Sequence, residues 1–90
     1  MSPETAARNA RIAAECVEIR VGDTWSAGVF LDAVVTITAI VAQDGLSWPR
    51  VAFMWPSGRQ DSYGAPAFRM ARLVKRGTGE GWKPGDPPIP

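Results

Sequence analysis

The stretch AVVTITAIVAQDG, residues 33–45, constrains the fold of this chain more than any other segment. Its apolar run is rich in β-branched residues, which favour the pleated surface of a strand. Alternate side chains of a strand point to opposite faces, which predicts one inward-facing set: Val35, Ile37, Ala39 and Val41. Asp44-Gly45 follows and tolerates the positive φ angles of a tight turn. The segment therefore predicts a strand that reverses into an antiparallel neighbour.

Four more short runs show strand patterns, at residues 17–21, 51–55, 59–63 and 72–76. Pro-Ser-Gly at 56–58 is typical of a hairpin turn. Tight turns join these runs, except for a longer loop predicted at about residues 24–32, and Pro66 begins a single predicted helical turn before the last strand.

The remaining segments flank this strand-rich region. Ser2-Pro3 is a helix-start signal, because the hydroxyl can cap free amides and proline fits the first helical position, so a helix is predicted from Pro3 to about Glu15. Residues 77–90 hold four glycines and four prolines and are predicted to be irregular. With 90 residues, one domain is expected. Its parts are an N-terminal helix (1–16), a β domain (17–76) and a Pro/Gly-rich tail (77–90).

Composition argues against catalysis and metal binding. The chain has no histidine and one cysteine, Cys16, so Ser-His or Cys-His pairs, an intrachain disulfide and a Cys/His metal cage are all excluded. We expect a non-enzymatic protein without cofactor or metal. The N-terminus lacks the apolar core of a secretory signal, and the longest apolar run, residues 33–42, is about half the length of a membrane span. A cytoplasmic protein with no membrane contact is expected.

Several motifs together resemble a known architecture: VGDTW at 21–25, VTITAI at 35–40, VAFMWPSGR at 51–59 and PAFRMARLV at 66–74. The resemblance is to SH3-like small β-barrels, and within them to proteins of unknown function from high-GC bacteria and their phages. It covers residues 17–76 and implies a mainly β fold: a five-stranded antiparallel SH3-like barrel with a short N-terminal helix and an irregular tail. Virion association is the expectation if the chain is phage-encoded. Small barrels bind many classes of partner, so the resemblance does not choose a function.

Aromatic residues provide the first candidate site. Four tryptophans are many for so small a core, and an amphipathic indole or phenol at a surface often contacts a partner. A protein partner or self-association is therefore the preferred function, through four residues: Trp25, Trp48, Tyr63 and Trp82. Phe53, Trp55 and Phe68 are predicted instead to fill the core.

The tail offers a second protein-binding reading. Pro84 to Pro87 and Pro87 to Pro90 each have the P-x-x-P spacing that aromatic grooves bind. The tail could alternatively be an unstructured overhang, or a strap that inserts Trp82 into its own domain or a neighbour's.

Charge asymmetry supports an alternative function. Residues 21–49 carry three acids and no base, whereas residues 50–76 carry six bases and one acid. A basic face attracts phosphate, so nucleic acid is the alternative partner. The residues predicted to bind it are Arg59, Arg69, Arg72, Lys75 and Arg76.

Overall fold

The computed structural model describes residues 2–85. This part of the chain contains one α-helix, two short 3₁₀ helices and seven strands. In chain order the elements are α1 (Pro3–Ala14), β1 (Ile19–Arg20), β2 (Thr24–Ser26), the 3₁₀ helix η1 (Gly28–Phe30), β3 (Val35–Val41), β4 (Arg50–Met54), β5 (Gln60–Gly64), the 3₁₀ helix η2 (Ala65–Met70), β6 (Arg72–Lys75) and β7 (Gly81–Trp82). The P-x-x-P spacings of the tail extend beyond the described residues.

The principal sheet has five antiparallel strands in the order β5-β4-β3-β2-β6. The chain meanders from β2 to β5, and η2 then leads it back so that β6 pairs with the free edge of β2. The mainly β fold with a short N-terminal helix is confirmed. The sheet is open, with β5 and β6 as its edges, so its strand pairing does not establish the predicted barrel.

A second, two-stranded sheet corrects two predictions, and the position of β2 in the principal sheet corrects a third. The strand predicted at 17–21 is only β1, which pairs with β7: Ile19 lies opposite Trp82. The tail therefore contains a strand where an irregular segment was predicted. The predicted loop at 24–32 begins with β2, because the chain turns immediately after β1: the Asp23 amide donates to the Arg20 carbonyl at 3.0 Å.

Strand β3 departs from strict alternation. Val35 and Ile37 are buried as predicted, but the pairing with β4 shifts register between Ile37 and Ala39. This irregularity puts one extra residue on β3, so the inward face passes to Ile40 and Val41 is 57% exposed. The prediction that Val41 faces inward was wrong for this reason.

Aromatic rings form the centre of the core. Phe30, at the end of η1, lies with its ring centroid 5.0 Å from that of Phe53 and 5.1 Å from that of Phe68. All three rings are buried, and Trp55 and Tyr63 pack against them. The predicted core roles of Phe53 and Phe68 are confirmed; Phe30 was not singled out from the sequence.

Helix α1 begins as predicted and packs loosely. The Ser2 side chain accepts a hydrogen bond from the Thr5 amide at 3.2 Å, and Pro3 occupies the first turn. No residue of α1 is buried; Cys16, two residues beyond its end, is. Among the described residues, no helix is long and apolar enough to cross a membrane.

Candidate functional site

The four aromatic residues predicted to bind a partner do not form one exposed surface. Trp25 and Trp82 are each 3% exposed, so in this conformation their indoles contact the core rather than solvent. Trp48 and Tyr63 are partly buried and pack against the same core. Tyr63 lies with its ring centroid 5.2 Å from that of Phe53. Binding by these four residues stays a prediction, and another surface has to be considered.

Acidic neighbours oppose three of the five predicted nucleic-acid-binding residues. Arg69 pairs with Glu15 at 2.9 Å, and Arg76 pairs with Asp23 at 3.0 Å. The Arg59 guanidinium lies 3.8 Å from Asp61. The two that remain are on β6, where both are exposed without an ion pair in the described part of the chain: Arg72 and Lys75.

Asp23 is the most highly connected polar side chain of the described structure, and it is fully buried. Its Oδ2 accepts hydrogen bonds from the Arg20 amide at 2.8 Å, the Trp25 indole at 3.1 Å and the Arg76 guanidinium at 3.0 Å. Its Oδ1 accepts from the Gly77 amide at 2.6 Å. A Cβ at Gly77 would collide with the backbone of Gly22 and Asp23, so the close approach needs glycine. Through these hydrogen bonds Asp23 holds the segment after β6 against the turn between β1 and β2.

The sequence analysis included Asp23 only as part of the VGDTW motif. The one local signal was the alternation of Asp23 with Trp25, whose indole N–H needs an acceptor when buried. The long-range donors to its carboxylate, Arg76 and Gly77, lie far away in sequence, and no local pattern predicts that they pair with Asp23.

A groove of about 620 Å³ lies between α1, η1 and η2. Its apolar lining comes from all three elements, and it has no aromatic ring: Ile12, Val29, Pro66, Ala67 and Met70. Gly28 lets η1 and η2 approach closely, since a Cβ there would lie 2.7 Å from the Met70 carbonyl carbon. The two 3₁₀ helices therefore form one wall and α1 forms the other.

Basic side chains complete the lining of this groove. Arg8, Arg11 and Ile12 lie three and four residues apart, so one face of α1 presents all of them. Arg69 of η2 lies opposite and bonds to Glu15 across the gap. Within residues 2–85, Arg8 and Arg11 have no ion-pair partner. Of these residues, sequence reasoning had singled out Arg69 alone; the spacing on α1 was the signal that could have found Arg8 and Arg11.

The loop around η1 is strained and exposes apolar surface beside the groove. Ala27 and Leu31, on either side of η1, have φ angles of 64° and 54°, values that side-chain-bearing residues rarely adopt. Phe30 points into the core, whereas Leu31 is 77% exposed. Met70 of the groove lining is 74% exposed. Strain of this kind persists where surrounding structure holds it and is frequent at binding sites.

Cys16 has no sign of reactivity. Burial is the main cause that raises the pKa of its thiol from 9.0 to about 11; Arg69 opposes the rise and Glu15 adds to it. The thiol donates to the Ile12 carbonyl at 3.4 Å. In the described structure no group of Cys, Asp and Glu side chains is placed to hold a metal ion.

Comparisons with protein-family models, with curated protein sequences and with solved structures found no match to this chain. The candidate site therefore depends on its own geometry.

Proposed function

We propose that this protein is a non-catalytic binding module that recognises a segment of a protein partner in the groove between α1, η1 and η2. The observation that carries the proposal is the exposed apolar lining of this groove, above all Met70 at 74% exposed. Its volume is within the range of protein ligand sites, about 300–1,000 Å³. Exposed apolar side chains gathered at a concave surface are typical of a site that a partner covers.

We also propose that residues 17–76 are related to SH3-like small barrels. Three features support this relation. In the five-stranded sheet the first strand along the chain, β2, pairs with the last, β6. A long connection that contains η1 joins β2 to β3, and the 3₁₀ helix η2 precedes β6. In this interpretation the open sheet is a small barrel whose two edge strands are apart.

Nucleic acid is the alternative partner. It is supported by the exposed pair on β6, Arg72 and Lys75, but the other three predicted bases already have acidic neighbours. The two unopposed charges of the predicted set give few phosphate contacts and weak, strongly salt-dependent binding. The protein partner is therefore the better supported of the two.

The test is selection of binders from a displayed library of random peptides of about 12 residues, with the full 90-residue chain as bait. Synthetic copies of enriched peptides are then titrated by fluorescence anisotropy against the parent, Met70→Ser and Val41→Ser. Val41 is the matched control, because it is an exposed apolar residue outside the groove lining.

We expect peptides that bind the parent and the Val41→Ser control equally. Removing Met70 takes away burial of about 1.5–3 kcal/mol, so affinity for Met70→Ser falls about 10- to 150-fold. Failure to enrich any peptide, or equal binding to Met70→Ser and the parent, contradicts the proposal.

A further inference from the structure

We infer that the groove selects an acidic segment that carries apolar anchor residues. The inference depends on the proposed function and names the chemistry of the partner. It is based on the charge of the two walls of the groove, on its aliphatic lining and on the strained loop around η1.

The walls of the groove carry an excess of positive charge. Arg8 and Arg11 project from α1 and Arg69 from η2, and among the described residues no acidic side chain lines the groove. Two acids lie close by on the helix: Glu15, at its C-cap, binds Arg69, and Glu4 lies four residues before Arg8 on the same face. Glu15 already binds Arg69, so the two α1 guanidinium groups are left for a ligand. Guanidinium groups bind carboxylates with two parallel hydrogen bonds, which fixes the ligand in position as well as attracting it.

The same charges reject other ligands. A basic segment would place its own cations against Arg8 and Arg11, and like charges across an interface are strongly unfavourable. Rejection of this kind gives specificity beyond the attraction of the correct ligand.

The apolar lining of the groove favours a peptide over a nucleic acid as the ligand. Single-stranded nucleic acids bind through aromatic platforms on which bases stack, and the lining of this groove has no aromatic ring. Its apolar lining is aliphatic, with Ile12 from α1, Val29 from η1 and Met70 from η2. Methionine adapts to differently shaped apolar side chains, as a binding surface for a peptide requires.

The loop of η1 carries a second exposed apolar residue, Leu31, two positions after Val29 of the groove lining. Leu31 is held in an unfavourable backbone conformation and exposed, although a turn with a small polar residue would avoid both penalties. An apolar anchor of the ligand that packs against this loop would cover it.

The experiment compares three baits in the peptide selection described above: the parent, Arg8→Glu/Arg11→Glu, and Arg59→Glu. Arg59 is an exposed arginine in the turn between β4 and β5 and does not line the groove. Its reversal, which changes the net charge half as much as the double variant does, controls for a charge reversal outside the groove. Circular dichroism confirms that each bait retains the parent's fold. The expected result is an excess of Asp and Glu in the peptides enriched by the parent and by Arg59→Glu, and loss of that excess with the double variant.

A direct titration follows with an enriched acidic peptide and its Glu→Gln twin. We expect the twin to bind about tenfold more weakly to the parent, and the two to bind the double variant equally. The tenfold advantage should shrink between about 0.05 M and about 0.5 M salt, because the ion pairs are partly exposed.

Each contrary outcome has a distinct meaning. Enriched peptides that need Met70 but show no acidic excess overturn this inference and leave the proposed function standing. An oligothymidylate that binds more tightly than the acidic peptide, and that is lost with Arg8→Glu/Arg11→Glu, overturns it in favour of nucleic acid. No enriched peptide at all overturns the proposed function and this inference together.

Discussion

The buried carboxylate of Asp23 allows the sharpest test of how this fold is held together. In Asp23→Asn, one carboxylate oxygen becomes an NH₂ group of nearly the same size, so packing is preserved and the change is one of hydrogen bonding and charge. The carboxylate accepts four hydrogen bonds, three at Oδ2 and one at Oδ1. An amide has only one accepting end.

Neither orientation of the new amide gives every neighbouring hydrogen-bond donor an acceptor. With its oxygen toward the three donors at Oδ2, the NH₂ group faces the Gly77 amide, which lies 2.6 Å from Oδ1. The opposite orientation sets the NH₂ group against three donors. At least one buried donor is then unpaired, which costs about 1–3 kcal/mol.

Loss of the charge adds to this penalty. Removing one partner of a buried ion pair costs about 3–5 kcal/mol, but the Arg76 side chain is 38% exposed and water can solvate it once Asp23 is neutral. We therefore expect Asp23→Asn to lose about 3 kcal/mol of unfolding free energy. For a chain of this length that corresponds to a fall in Tm of about 12–24 °C.

Urea unfolding followed by tryptophan fluorescence measures this loss, because the midpoint shifts while the slope stays constant if only stability changes. Asp44→Asn is the matched control, since Asp44 is exposed in a turn and has no ion pair within residues 2–85. A loss below about 1 kcal/mol, or one equal to the control's, would refute the role assigned to Asp23. A double-mutant cycle with Arg76→Gln separates the ion pair from the backbone hydrogen bonds.

Four further substitutions or reactions test other parts of the structure. Trp82→Ala should lose about 3–5 kcal/mol in urea unfolding because β7 buries the indole, whereas Met54→Ala, at an exposed position, should lose less than about 1 kcal/mol; equal losses would place Trp82 outside the core. Leu31→Gly should gain about 1 kcal/mol by releasing backbone strain, and a loss of stability would show that the leucine side chain is needed for folding. Gly28→Ala should lose about 1–3 kcal/mol, since its Cβ would collide with the backbone of η2; no loss would mean that η1 and η2 are not in close contact. Cys16 should react with a disulfide reagent at pH 8 at least about 100-fold more slowly in the folded chain than in urea, because its folded pKa is about 11 against 9.0. The raised thiol pKa also adds to the free energy of unfolding below pH 9, and this contribution is lost as pH rises from 9 to 11. A free energy of unfolding that does not change with pH in that interval would contradict the raised pKa.

Local sequence signals predicted the local structure well. The Ser2-Pro3 start of α1 and the turns at Gly45 and Gly58 depend on neighbouring residues alone, and the two glycines adopt the positive φ angles that such turns use. The mainly β character followed from the same kind of signal.

Long-range pairing was what the sequence could not supply. The two-residue period of 17–21 is a genuine strand signal, but the partner that fixes its length is Gly81–Trp82, in a segment whose composition indicates irregular structure. The register shift in β3 is likewise a property of two paired strands and has no signature within residues 35–41. Alternation therefore predicted the inward face correctly only as far as Ile37.

The candidate site was hidden for the same reason. A groove between three elements depends on how they pack, and Met70 and Val29 look from the sequence like ordinary apolar residues. Charge counting identified Arg69 but could not show that Glu15 opposes it. Aromatic residues drew attention as partner-binding candidates, yet two of the four tryptophans are almost fully buried.

The weak attachment of α1 connects the groove to its proposed ligand. This helix of 12 residues is too short to be stable by itself, and it buries no side chain. Its ion pair with η2, Glu15 to Arg69, joins two half-exposed side chains, and pairs of that kind contribute at most about 1 kcal/mol. Arg8 and Arg11 lie three residues apart, where like charges destabilise a helix slightly. An acidic segment in the groove would neutralise that repulsion and bridge α1 to η2, so binding the ligand and holding the helix against the sheet would favour one another.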